Sequence, residues 1–84
     1  MGPDEIKRMI EEGIPCFHVD VDGDGTHFEA TVVSEKFTGK STLQQHQMVY
    51  ASLGNMIGKE IHALSINTYT PDDWDRRKEV RIFP

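Results

Sequence analysis

Phe37-Thr-Gly-Lys-Ser41-Thr-Leu-Gln-Gln-His46-Gln-Met-Val-Tyr50-Ala-Ser-Leu53 is the stretch on which the fold turns. A glycine-containing turn leads into a helix start. Ser41 is placed to cap the helix, and Gln44, three residues on, is placed to reach back and complete a capping box. Apolar residues then recur at Leu43, Val49, Tyr50, Leu53, Met56 and Ile57, a spacing that predicts a helix with one buried side. His46 falls on that stripe, where a hydrogen-bonded structural histidine is expected. Gly39, Ser41 and His46 are therefore assigned to the frame of the molecule.

Working outward toward the N-terminus, Phe28, Ala30 and Val32 alternate with His27, Glu29 and Thr31, and Phe17, Val19 and Val21 alternate with His18, Asp20 and Asp22. Each set predicts a half-buried strand. Asp22-Gly-Asp-Gly25 between them supplies hairpin turn residues. Further back, Pro3 suits a first helical turn, and Asp4 and Glu5 suit its positive end. Ile6, Met9 and Ile10 then predict an amphipathic helix over residues 3 to 12, with Gly13 ending it.

Toward the C-terminus, Gly54 and Asn55 weaken the central helix, and Met56 to Lys59 predict a further short turn or helix. Ile61 to Tyr69 reads as a third strand, covered on one face and partly on the other. Thr70-Pro71-Asp72-Asp73 is a helix start with cap, proline and acidic first turn, and Trp74 is expected to anchor that last helix to the body. The order α-β-β-α-α-β-α predicts one α+β domain over residues 1–84, with helices packed on one face of a three-stranded sheet.

Composition narrows the function classes. No apolar run approaches the roughly 20 residues of a membrane span, and Asp4, Glu5, Lys7 and Arg8 interrupt any signal-peptide core. Cys16 is the single cysteine, which excludes an internal disulfide and an all-cysteine metal site and fits a reducing, cytoplasmic setting. The formal net charge of −5 gives no overall attraction to phosphate backbones or anionic membranes. Lys36, Lys40, Arg76, Arg77 and Lys78 are the candidate nucleic-acid contacts, and Asp72, Asp73, Asp75 and Glu79 interleave with the C-terminal basic group, which continues to Arg81.

Three familiar motifs fail on their chemistry. Asp20-x-Asp22-x-Asp24-Gly25 begins like an EF-hand loop, but its twelfth position is Thr31 rather than a bidentate glutamate, and its flanks alternate like strands. Gly39-Lys40-Ser41 echoes a phosphate-binding loop, but the earlier glycine is replaced by Ser34. Cys16 with His18 lacks an orienting third group and an oxyanion donor set, so no enzyme is expected. The histidines remain. Imidazole is a common metal ligand, and His27 and His62 both sit near strand starts, where side chains project into a rim. Two ligands cannot close a tetrahedral site, so a partner would have to complete it. His18 reads as a solvated residue on a polar strand face.

Phe37-x-Gly39-x-Ser41, His46, Val49, Leu53, Ile61-His62-Ala63-Leu64 and Thr70-Pro71-x-x-Trp74 together resemble the BolA family. The short hairpin loop and Asp-Gly-Asp-Gly-Thr-His27 resemble its bacterial IbaG-type branch. The resemblance implies a class II KH-like fold with a three-stranded mixed sheet. It also implies pairing with a monothiol glutaredoxin around a shared [2Fe–2S] cluster. There the glutaredoxin supplies its active-site cysteine and a bound glutathione thiol, and His62 and His27 supply the imidazoles. No cofactor is expected to bind the isolated chain tightly, which by itself is expected to be a monomer, with pairing of two copies left open. The family's other role is transcriptional regulation through nucleic acid. Members commonly carry Arg on both sides of the helix histidine, whereas Gln45 and Gln47 stand here, removing positive charge from that helix.

Overall fold

The computed structural model describes residues 1–80 of the chain. In order, these form α1 (Pro3–Gly13), β1 (His18–Gly23), β2 (His27–Val33), a 3-10 turn (Glu35–Phe37), α2 (Thr42–Leu53), a second 3-10 turn (Gly54–Met56), β3 (Ala63–Tyr69) and α3 (Pro71–Val80). The short helix expected near Met56 is thus a single 3-10 turn, because Gly54 takes a positive φ of 60° and turns the chain out of α2. The strand order is β1-β2-β3. The central strand β2 runs antiparallel to β1 and parallel to β3, the mixed sheet that the family resemblance implies.

Alternation along the strands gives this sheet two unlike faces. The inner face presents Val19 and Val21 from β1 and Phe28, Ala30 and Val32 from β2 to Ile6 and Ile10 of α1 and Val49 and Leu53 of α2. Phe37 and Ile61 close the ends of this single core, both almost fully buried. Excluding these side chains from water is the main force holding the layers together. Gly13 has a different task from the expected helix stop. It lies inside α1, and a Cβ there would sit 2.6 Å from Ser52 Cβ on α2, so the glycine permits close approach of the two helices.

The third helix covers a different surface. In the ladder His18 lies beside Val33, and Val33 beside Tyr69, all on the outer face. Trp74 stacks on His18 with centroids 5.1 Å apart and tilts against Tyr69 at 5.4 Å, while Val33 between them is fully buried. So α1 and α2 pack on one face, and α3 caps the far end of the other through Trp74. His18 is thereby stacked rather than merely solvated.

Two apolar expectations change. Phe17 precedes β1 and is 68% exposed, although its N–H still donates to the Val33 carbonyl, because the sheet corner it occupies lies past the helical cover. On α2, Val49 and Leu53 are buried, whereas Leu43 and Tyr50, on another side of the same helix, are exposed. The spacing was helical, but it spans more circumference than the sheet covers.

Candidate functional site

The parallel register places the two candidate ligands at one rim. His27 opens β2 and lies opposite Ala63, the first residue of β3, and His62 is the residue just before Ala63. Neighbouring strands run about 4.8 Å apart, so the sheet itself sets the separation of the two backbones. Both histidines are exposed, and the side chain of His27 keeps 76% of its accessible surface.

Asp24 builds the His27 end. Its Oδ1 accepts from the N–H groups of Thr26 (2.9 Å) and His27 (2.8 Å), and its own N–H donates to the His27 carbonyl at 3.2 Å. Such an aspartate-led turn needs no further support from the core. The bonds from His27 and Thr26 hold the Asp24 carboxyl below the usual aspartate range. Its second oxygen, Oδ2, lies 4.0 Å from His27 Nδ1. A carboxylate on the Nδ1 side leaves Nε2 facing outward as the ligating nitrogen. Asp24 was considered only as a turn or calcium residue in the sequence. The Asp-x-x-His spacing was the signal available.

At the His62 end, the chain from α2 to β3 is pinned by backbone bonds. Gly58 N–H donates to the Ile61 carbonyl at 2.9 Å, and Ile61 N–H to the Met56 carbonyl at 3.0 Å. Ile61 is buried beneath, so His62 is held at the surface by an anchored neighbour. Among the described residues, no group of three or more His, Cys, Asp or Glu gathers to hold a metal ion. The donor set is two imidazoles. These fit a shared cluster whose remaining ligands are thiolates from elsewhere, and they do not fit a complete site.

The other named residues lie apart from this rim. His46 is half-buried in a cleft beside β3. The capping box forms as drawn, with Ser41 Oγ accepting from Gln44 N–H at 3.2 Å and Gln44 Oε1 accepting from Ser41 N–H at 2.9 Å. Gly39 takes a φ of 80°, which a side chain rarely adopts, and so directs the turn into the cap. Gln45 is turned inward: its amide N–H donates to the Phe37 and Lys40 carbonyls, and its Oε1 accepts from Thr68 at 2.6 Å. One side chain thus ties the turn, α2 and β3 together, a role its polar character concealed.

The basic candidates do not form one surface. Lys36 and Lys40 are exposed. Arg76 is bridged to Asp73 at 2.8 Å, beside a cleft whose other walls include Glu35 and Asp72. Arg77 lies over the Trp74 ring at 3.9 Å, with its Nε buried and without a hydrogen-bond partner, so it is spent on packing rather than available to phosphate. The side chain of Lys78, and Arg81 entirely, lie outside the described residues. Cys16 is half-buried, donates its S–H to the Ile14 carbonyl at 3.1 Å, and has its pKa raised by burial and by Glu11. A protonated thiol held this way is a poor nucleophile. No helix among the described residues is long and apolar enough to cross a membrane.

Comparison with known proteins places these features. The chain is 37% identical to the acid stress protein IbaG of Escherichia coli over 84 residues, covering 99% of this chain and all of that protein. It is 38% identical to the DNA-binding transcriptional regulator BolA of the same organism over 53 residues, covering 63% of this chain and half of that one. A solved BolA homologue from Coxiella burnetii superposes with a TM-score of 0.78 at 42% identity, covering 90% of this chain and 99% of that one. The family model for BolA-like proteins matches residues 11–73, a span that takes in the hairpin, the capped central helix, both rim histidines and β3, and the chain belongs to that family.

Proposed function

We propose that this chain is a non-enzymatic partner of a monothiol glutaredoxin, and that His27 and His62 co-ligate a [2Fe–2S] cluster carried between the two proteins. The observation that carries the proposal is the register His27↔Ala63, which sets two exposed imidazoles on adjacent strand starts. Family membership supplies the partner: the glutaredoxin's active-site cysteine and a glutathione thiol complete the ligand set. Imidazole in place of thiolate raises the cluster potential, and a cluster shared across a protein interface is suited to transfer or sensing. Asp24 orients His27 from behind, and the anchored Ile61 presents His62.

The test is co-purification of the chain with a monothiol glutaredoxin and glutathione, followed by visible absorption and circular dichroism. His62→Ala and His27→Ala are each expected to alter the cluster bands and shorten the lifetime of the loaded complex. Spectra and lifetimes unchanged in both variants would remove the ligand assignment.

A second function, nucleic-acid binding, is favoured by the name of the E. coli BolA relative. Its basis in this chain is reduced to the exposed Lys36 and Lys40, since Arg76 is bridged and Arg77 is packed on Trp74. If it holds, duplex affinity falls steeply with salt and drops further in Lys36→Ala/Lys40→Ala. Absence of binding at low salt removes it.

A further inference from the structure

Charge is unevenly distributed along this chain. No Asp, Glu, Lys or Arg occurs from Ser41 to Gly58 or from Ile61 to Pro71, although charged residues make up 27% of the sequence. The first tract is α2 with its following turn, and the second contains β3, so in space they are neighbours. Depletion of charge is the compositional mark of the core of a protein–protein interface.

β3 is also an edge strand without protection. The opposite edge, β1, carries exposed Asp20 and Asp22. Edge strands are commonly guarded by charge, proline or a bulge. β3 has neither charge nor proline, and pairs with β2 in unbroken register from Ala63 to Tyr69. A cleft of about 250 Å³ is lined by its consecutive residues Ile66, Asn67, Thr68 and Tyr69, with Thr42 and His46 of α2. Successive strand residues point to opposite faces, so a cleft that touches all four runs along the open edge. Beside it, Leu43 is 67% and Tyr50 42% exposed. Seven residues apart, they share one side of α2, two turns from each other.

We propose that this face joins two copies of the chain in a symmetric dimer. The two β3 edges pair antiparallel about a two-fold axis perpendicular to the sheet near Ile66, making one six-stranded sheet. The same axis keeps both α2 helices on one face and antiparallel, so that Leu43 of each copy meets Tyr50 of its partner. A second copy is the occupant because it satisfies both demands of the face at once. It brings an open strand edge to receive the unpaired backbone groups, and a surface with no acidic or basic side chain to strip of water. The net charge of −5 per chain is carried on other surfaces, and a two-fold contact requires the patch only to complement itself. The dimer forms whether or not the rim histidines take a cluster.

The test is sedimentation equilibrium of the full chain, under reducing conditions that exclude Cys16 cross-links, from micromolar to millimolar concentration. Amide exchange is measured in parallel. The expected result is a concentration-dependent dimer in which β3 amides slow as the dimer fills. Leu43→Glu and Tyr50→Glu are each expected to weaken it at least about tenfold. Both side chains are exposed, so circular dichroism and thermal unfolding should show the fold intact. Asp22→Ala on the opposite edge should leave the dissociation constant unchanged. A chain that stays monomeric at millimolar concentration overturns the proposal, and so does a dimer indifferent to both glutamate substitutions.

Discussion

Asp24 shows how much one exposed side chain can organise. It holds the hairpin turn by accepting from two backbone N–H groups, and this lowers its pKa in the fold. Because the shift is downward, the contribution is fully present above the unfolded aspartate value of about 4. It is lost as pH falls through the lower folded value. The amide resonances of Thr26 and His27 are therefore expected to titrate together with an apparent pKa below 4, and to lose that response in Asp24→Asn. Ordinary titration of those amides at or above the model-peptide value would contradict the assignment. The aspartate's place in the turn could be read in the sequence, because Asp-Gly sequences make turns. Its second task, facing the Nδ1 side of His27, required the geometry. Gln45 is the sharper case of what sequence conceals: glutamine on a helix looks like surface, and here it bonds to three separate segments.

At the scale of elements, the strands and helix starts were readable because they rest on local chemistry: alternation, caps and turn residues. What could not be read was which side of each element would find a neighbour. Leu43 and Tyr50 fit a helical repeat as well as Val49 and Leu53 do, and only the placement of β3 separates them. Gly13 is a similar lesson, since a glycine near a helix end looks like a stop and here serves a contact. Gly13→Ala is expected to destabilise the fold by about 1–3 kcal/mol through overpacking. Urea unfolding of Gly13→Ala, Ser52→Gly and the double variant would show part of that loss recovered when the opposing Cβ is absent. Strict additivity would mean the two helices do not meet there. α3 depends on a smaller anchorage. Trp74→Ala should leave α1, α2 and the sheet protected from hydrogen exchange while α3 amides lose protection, because Trp74 packs on His18 and Tyr69 rather than in the main core.

Taken whole, the molecule separates stability from its candidate chemistry. The core lies between the inner sheet face and two helices, while both rim histidines are exposed. The double variant His27→Ala/His62→Ala should therefore unfold within about 0.5 kcal/mol of the parent, although the cluster signal is expected to be lost. Phe37→Ala, at the fully buried end of the core, should cost about 3–5 kcal/mol. Chemical denaturation of the two variants side by side checks both figures. A rim variant as damaging as the core one would mean that the histidines serve the fold instead.

The parallel pairing of β2 with β3 has one more consequence, which concerns timing. His27 and His62 are separated by about 35 residues of chain, and closing such a loop at random costs on the order of 3 kcal/mol. The intervening segment contains α2 and both 3-10 turns, so the two imidazoles become neighbours only after that crossover has folded and β3 has docked. A partner that grips both at once thus inspects the finished chain. Nascent or damaged copies present the same two side chains but not the pair, and cargo is withheld from them without any dedicated proofreading step.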